Sequence, residues 1–469
     1  MTTKINDLVD DILLCVISFL PPKDAARTSI LCRRWRYLYC TCPSIAFDLR
    51  DFGGDFSGGK QSHAIRFLDI VSSTLLFYKG ESLEQFKLVF NADLIYSLWH
   101  LRTYFDSFLR TAREKSVRSL SLEMSYGSLT DVHDRANEQY RKQLYCLPSY
   151  IFKCGSLQSL MLKNCTIETI GTPSLRYLAV LHLILVEDRQ QSIQELITHC
   201  ISLRELALEG CLLVDSLEIS LLNLENLSVR CCHQMKSLRI NAPNLFSLNF
   251  DGDLLDKLDF KILKSEEMNR NFYRRDAVRL GLCHQKAPRI LQTPQCSLTR
   301  VKEFTKFATE LENAKHLSIV TSSFEDFAIE ELQSAPLLLH KVKQLSLKGW
   351  IGSRRSILGV TILLALTPSI ESLSLEFSEM MTIKKESSAD KELIDFPSID
   401  CLNHTLKHIT LRNFVGNEAE LILLELFIEH AVFLDEICIG WGKEKLVNIC
   451  DISILNNSKS IKIIHEQVV

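Results

Sequence analysis

Starting at Leu8, apolar residues fall at 8, 12, 15, 16 and 19 on one helical face and at 9, 13, 17 and 20 on the neighbouring one, interrupted by Asp10, Asp11 and Ser18. This spacing predicts a first helix that is apolar nearly all round, ended by Pro21-Pro22. Asp24 favours the start of a second helix, because a carboxylate there complements the helix dipole, and Ala25, Ala26 and Ile30 supply a thin apolar stripe. A third helix follows, with Leu31, Trp35 and Leu38 at i, i+4 and i+7 and Arg33, Arg34 and Arg36 on a solvated side. Three helices in about forty residues are marginal alone and cannot bury such a first helix. Either the rest of the chain covers it or a partner does.

From residue 116 the period changes. Apolar residues recur at i, i+3 and i+5 in "SVRSLSLEM", "SLQSLMLKNC", "SLRYLAVLHL", "SLRELALEGC", "NLENLSVRCC", "NLFSLNFDGD", "NAKHLSIVTS", "KVKQLSLKGW", "SIESLSLEFS", "TLKHITLRNF" and "FLDEICIGWG". Taking the middle apolar residue of each, Leu160, Leu178, Leu206, Leu227 and Leu248 are 18, 28, 21 and 21 apart. Leu317, Leu345, Leu373, Ile409 and Ile437 are 28, 28, 36 and 28 apart. This is leucine-rich-repeat spacing with insertions. One short strand per repeat places Leu160 and Leu162 inside and Ser159, Met161 and Lys163 on the concave face. Cys165, Cys211 and Cys232 each stand three residues after the second strand leucine or valine, where a small buried side chain can bond the turning backbone.

The same register sets Lys163, Arg230, Lys348 and Arg412 on the concave face against Glu123, Glu205, Glu209, Asp251, Glu376 and Glu436. Nucleic acid would need a positive stripe, so this mixture points to a protein partner or to solubility. A basic cluster from Asn269 to Arg289 reads as a surface excursion between two sets of repeats, and Lys384 to Asp395 as a second polar loop. The closing stretch from Cys401 to Trp441 predicts a strand at 408–411, a helix with Leu421, Leu424, Ile428 and Ala431 on one face, and a strand at 436–439. Such a unit would cap the repeats.

Composition narrows the chemistry. The chain has 469 residues, 46% hydrophobic and 24% charged, with 54 basic against 57 acidic side chains, so no global field recruits nucleic acid. The run Ile12 to Leu20 is too short to span a bilayer and lacks the cationic flank of a secretion signal. Sixteen cysteines are then expected to be reduced thiols of an intracellular protein, in cytoplasm or nucleus. No C-x-x-C pair exists, and Cys40, Cys42 and Cys231-Cys232-His233 are poor approximations to a metal site, so neither metal nor cofactor is expected. The histidines form no nucleophile–base pattern, which argues against an enzyme.

The N-terminal stretch "INDLVDDILLCVISFLPPKDAARTSILCRRWRYLYCTCPSIAFD" resembles the F-box of plant F-box/leucine-rich-repeat proteins, and the segment from Cys401 to Trp441 resembles their FBD region. The departures are Val9 for proline, Asp11 for glutamate, Cys32 for serine and Tyr39 for tryptophan. The resemblance implies an α/β fold in which a three-helix F-box precedes a leucine-rich-repeat solenoid. It divides the chain into an F-box (1–50), a connecting region (51–115), repeats (116–378), a polar loop (379–396), FBD-like terminal repeats (397–442) and a tail (443–469). It further implies a non-catalytic substrate receptor of a ubiquitin ligase, docked on a Skp-type adaptor and through it on a cullin scaffold. Leu8, Val9, Ile12, Leu20, Pro21 and Trp35 are the expected adaptor residues, and Lys163, Glu205, Glu209, Arg230 and Asp251 the expected target contacts. Two alternatives remain at this point: an adaptor-independent interaction scaffold, for which Val9 speaks, and a receptor gated by a small molecule. Because the ladder cysteines are assigned to buried, reduced positions, chelator and mild reductant are expected to leave the melting curve of the purified protein unchanged. A large drop with chelator in differential scanning fluorimetry would overturn that assignment.

Overall fold

The computed structural model describes residues 5–52, 59–94, 98–126, 144–252, 257–260, 277–282, 314–378, 398–442 and 462–466, apart from 169, 172, 189–190, 212–213, 233, 246, 329 and 334–336. The chain forms two compact units, Met1–Leu224 and Glu225–Val469.

The first unit opens with α1 (Asp10–Phe19), α2 (Pro22–Thr28) and α3 (Arg33–Thr41). Pro22 stands at the first position of α2, where its missing N–H costs nothing. Leu13, Ile17, Ala25, Trp35, Leu38 and Cys42 make the small core between the helices. Leu31 does not join it: the extended backbone of Cys32 starts α3 at Arg33, and Leu31 lies outside the helix and exposed.

Within three residues α3 gives way to β1 (Ser44–Asp48), which pairs in parallel with β2 (Gln85–Asn91), and β2 with β3 (Ser119–Ser125). The helices α4 (Gly59–Leu76) and α5 (Leu98–Glu114) make the crossovers, and Phe67, Phe90, Phe105 and Phe108 fill the space between them and the sheet. The sheet therefore begins at Ser44, inside what the sequence reading assigned to the F-box and the connecting region, because long amphipathic crossovers hide the short repeat period there. After β4 (Tyr145–Cys146) it continues through β5 (Ser159–Lys163), β7 (Val180–Ile184) and β9 (Glu205–Glu209), each parallel and in register with the last. On the other side of the coils β4, β6 (Cys165–Ile167) and β8 (Glu187–Asp188) form a smaller parallel sheet, and β10 (Ser216–Ser220) lies beside the helix Ser192–His199.

Register corrects one repeat. Leu181, not Leu178, is the partner of both Leu160 and Leu206. The stretch "SLRYLAVLHL" offers leucines three apart, and the strand takes the later set, where Leu181 and Leu183 alternate with Val180, His182 and Ile184. A left-handed residue directly follows three of these strands: Asn164 (φ 58°), Leu185 (φ 54°) and Gly210 (φ 63°). Asn164 adds a buried side-chain bond from Nδ2 to the carbonyl of Met124, which helps it hold a conformation that costs most residues free energy. The thiols of Cys165 and Cys211 donate to the carbonyls of Lys163 (3.4 Å) and Leu183 (3.4 Å), so these cysteines are turn-bonding core residues.

In the second unit the main sheet runs β11 (Asn226–Arg230), β13 (Ser247–Gly252), β15 (Ala277–Leu282), β16 (His316–Ser323), β17 (Gln344–Trp350), β18 (Ser372–Phe377), β19 (His408–Phe414), β20 (Glu436–Trp441) and β21 (Lys462–Glu466), all parallel. The short strands β12 (Ser237–Asn241) and β14 (Lys257–Phe260) pair beside it. Two expectations change. The basic cluster from Asn269 to Arg289 contains β15, whose Val278 is in register with Leu248 and Leu317, so that segment carries a coil; its other residues lie outside those described. The segment after Trp441 supplies β21, so the 408–441 unit is followed by a further strand.

Two helices close this unit's coils. Ser353 and Ser356 form a capping box at the start of Arg354–Ala365, and Asn417 caps Glu418–His430. Buried Glu420 reaches back to accept from the backbone N–H groups of Val415 (2.9 Å) and Gly416 (2.7 Å), fixing the turn into the second helix. Gly359 faces the backbone of Phe324 so closely that a Cβ there would lie 1.9 Å from its carbonyl oxygen, whereas one on Gly155 would meet nothing nearer than 3.8 Å. Gly359→Ala is accordingly expected to destabilise the second unit by about 1–3 kcal/mol or more, the cost of overpacking against unyielding backbone, and Gly155→Ala to cost far less. Urea unfolding of the two variants checks the contrast.

Candidate functional site

Helix α1 divides its apolar residues between two directions. Leu13 and Ile17 are buried, 0% and 1% exposed, against Trp35 and Leu38, while Val9, Ile12 and Phe19 are 60%, 48% and 83% exposed. The last three follow the i, i+3, i+10 rhythm of one helix face. Of the other expected adaptor residues, Leu8 and Leu20 are half-buried and pack on the helical core, and Pro21 is exposed. Trp35 is buried with its indole N–H donating to Asn6 Oδ1 (2.9 Å), which makes it a brace beneath the surface. No described residue of the chain covers the outer face of α1. Phe19 and Ile5 belong to this exposed set and were not among the expected adaptor residues, although Phe19 shares the helical face of Ile12 in the sequence pattern.

Arg34 departs from the solvated face expected of the arginines. Its Nε donates to Asp10 Oδ1 (2.8 Å), Nη1 to the carbonyl of Asn6 (2.6 Å) and Nη2 to the carbonyl of Leu8 (2.6 Å). One guanidinium thus ties α3 to the segment that enters α1, using the five-donor fork that lysine lacks. Among the described residues Arg33 makes no such bond, and Arg36 reaches only the carbonyl of Ser29 (3.3 Å).

The inner strand faces carry charges that meet across neighbouring strands. In the first unit Lys163 pairs with Glu123 (2.8 Å) and Glu205 with His182 (2.8 Å), while Glu209 sits half-exposed at the end of β9. In the second, Lys348 pairs with Glu376 (2.6 Å) and His408 with Glu436 (3.5 Å). Arg230 and Asp251 are register partners on β11 and β13, the Asp251 side chain lying outside those described. The expected target residues are therefore spread over both units, and Lys163 and Glu205 already have partners within the chain.

Cysteine chemistry points the same way. Burial pushes the thiols of Cys200 and Cys401 up to about 12, far from the low values of nucleophiles. Among the described residues no group of three or more His, Cys, Asp or Glu could hold a metal ion, and no helix is long and apolar enough to cross a membrane.

Comparison with known proteins follows this division. A family model for the F-box domain matches residues 5–40, and one described as "At1g61320/AtMIF1, LRR domain" matches residues 78–447. The chain belongs to the plant F-box/leucine-rich-repeat family. Relatives include the F-box/FBD/LRR-repeat protein At5g56420 of Arabidopsis thaliana, 27% identical over 56% of this chain and 55% of that protein. The putative F-box/LRR-repeat protein At5g54820 of the same plant is 22% identical over 91% of this chain and 88% of its own length. The putative F-box/FBD/LRR-repeat protein At4g00315, also from that plant, is 25% identical over 73% and 71%. The chain thus spans about half the length of the first of these and most of the second.

In this F-box, Arg34 holds the entry to α1 through bonds that are partly solvent-exposed. Arg34→Ala is expected to cost about 1–2 kcal/mol of stability once screening is allowed for, and Arg33→Ala almost nothing. Thermal unfolding of the two variants, read against wild type, tests that difference.

Proposed function

We propose that this chain is the non-catalytic substrate receptor of an SCF-type ubiquitin ligase, with the F-box docked on a Skp-type adaptor, the adaptor on a cullin, and the repeats holding a target protein. The observation that carries this reading is the uncovered apolar face of α1, formed by Val9, Ile12 and Phe19 over a well-packed helical core. Exposed apolar side chains in one row gain most by burial against a partner. Catalysis in such an assembly is proximity: the receptor raises the effective concentration of target lysines at a ubiquitin-charged enzyme held elsewhere.

Val9, where the family pattern has proline, is compatible with this reading. It precedes α1 at φ −69° and ψ 156°, a conformation that proline adopts without strain. The backbone at this position is compatible with proline, so the substitution changes contact area more than geometry.

Burying an Ile or Phe side chain is worth roughly 1.5–3 kcal/mol, so Ile12→Ala and Phe19→Ala are each expected to weaken adaptor binding by roughly 10- to 100-fold. Both residues are exposed, which separates their effect from folding better than half-buried Leu20 would. Calorimetric titration with the adaptor at two salt concentrations reads the outcome. Full binding by folded Ile12→Ala and Phe19→Ala proteins would sink the proposal, as would a steep salt dependence governed by Arg33 and Arg36.

A further inference from the structure

The second unit carries a row of hydroxyls that no described residue uses. Ser318, Ser346, Ser374 and Thr410 occupy equivalent places on β16, β17, β18 and β19, each in register with the next. All four are half-exposed on the inner face, between buried partners such as Leu345 and Leu347 or Leu373 and Leu375. None of the four makes a side-chain hydrogen bond among the described residues, in contrast to Ser121, which donates to Met161 Sδ, and Ser228, which bonds Asn249.

Longer side chains flank this row on both sides except at β18, where Ser372 stands in the first flank. On one side His316 bonds Gln344 (2.6 Å) and His408 approaches Glu436 (3.5 Å); on the other Lys348 is paired with Glu376 (2.6 Å). Lys348 and Glu376 neutralise each other on their side, while on the other side Glu436 is a carboxylate beside a histidine. Arg412 is exposed and has no side-chain partner among the described residues, and its register partner Glu376 is already held by Lys348. Two cations sharing one carboxylate leave about one positive charge on the Lys348–Glu376–Arg412 side of the trough, counted over the described side chains.

We propose that this trough binds an extended, polyproline-II-like segment of a target protein, with one carboxylate of that segment on Arg412. The inference rests on the receptor reading above and specifies where and what that receptor grips. Neighbouring strands are about 4.8 Å apart, so alternate hydroxyls recur every ~9.6 Å. A polyproline-II chain rises about 3.1 Å per residue with three residues per turn, so equivalent carbonyls recur every ~9.3 Å. That conformation has no internal hydrogen bonds, and its carbonyls are free to accept from the serines. The small side chains of the row let the segment's backbone come close. A single exposed guanidinium offers a contact for one carboxylate and is too little for a phosphate backbone, which requires several.

The test uses the full chain on an array of octapeptides in four classes: proline-rich or glycine/serine-rich, each with or without one acidic residue. Retention is expected to concentrate in the proline-rich, singly acidic class. For that class Arg412→Ala and the double variant Ser346→Ala/Ser374→Ala are each expected to lower affinity by about tenfold or more, the scale of lost charge-assisted and paired neutral hydrogen bonds. Arg204→Ala, outside the trough, should change nothing. Equal retention across classes, absence of retention, or indifference to both trough variants would overturn the proposal. Adaptor titration of the same variants separates the two readings: the trough variants should bind adaptor fully, and loss of adaptor binding by wild type would sink the receptor reading while leaving the trough result standing.

Discussion

The parallel register of one strand per coil is the constraint on which the rest depends. A single five-residue strand can satisfy its backbone N–H and C=O groups only through its neighbours, and it can bury its leucines only beneath the next coil's leucines. Leu120, Leu160, Leu181 and Leu206 form one such row in the first unit, and Leu317, Leu345, Leu373 and Ile409 another in the second. Once the rows are in register, the inner face has no freedom left. Every alternate residue is presented outward, and its neighbours are the equivalent residues of adjacent repeats, however far away they are in sequence.

Charge pairing on the inner face follows from that geometry. Glu123 and Lys163 are forty positions apart and Lys348 and Glu376 twenty-eight, yet each pair occupies register-equivalent places on adjacent strands and closes to hydrogen-bonding distance. Such exposed pairs contribute little to stability. Their consequence is for recognition, since a carboxylate engaged by its neighbour is a poorer contact for an incoming partner than a free group. The available polar groups on a repeat face are therefore those the ladder leaves over, and among the described residues of the second unit these include the hydroxyls between β16 and β19 and the guanidinium of Arg412.

The leucine period, the inward cysteines and the helical N-terminus were all legible because each repeats a local pattern. What escaped the sequence reading has physical causes. Leu178 and Leu181 both fit the apolar template, and only pairing with Leu160 and Leu206 decides between them. β1 and β2 are separated by a crossover helix, so no short period announces them. Val278 sits in a stretch whose arginines dominate its composition, although β15 needs only alternation. Arg34 looked like its neighbours Arg33 and Arg36, and its role depends on carbonyls of Asn6 and Leu8 that are remote in sequence. For the proposed docking face the first helix displayed its excess of apolar surface, but which half the protein covers was set by Trp35 and Leu38, on another helix.

The joint between the helices and the first strands bears on how a docked assembly would be organised. Only Cys42 and Pro43 separate α3 from β1, and the carbonyls of Cys40 and Pro43 accept from Lys79 (2.8 Å), Glu84 (2.8 Å) and Gln85 (3.0 Å), the last at the start of β2. The Cys42 thiol donates to the carbonyl of Ser44 (3.4 Å) across the same corner. A two-residue connection with its backbone polar groups engaged has little conformational freedom, unlike a glycine- or serine-rich linker. The helical unit is therefore an extension of the first strands rather than a tethered module. A partner that grips the outer face of α1 fixes the orientation of the strands β1 to β3 as well, and a receptor acting by proximity gains from this because a stiff joint narrows the volume its cargo can sample.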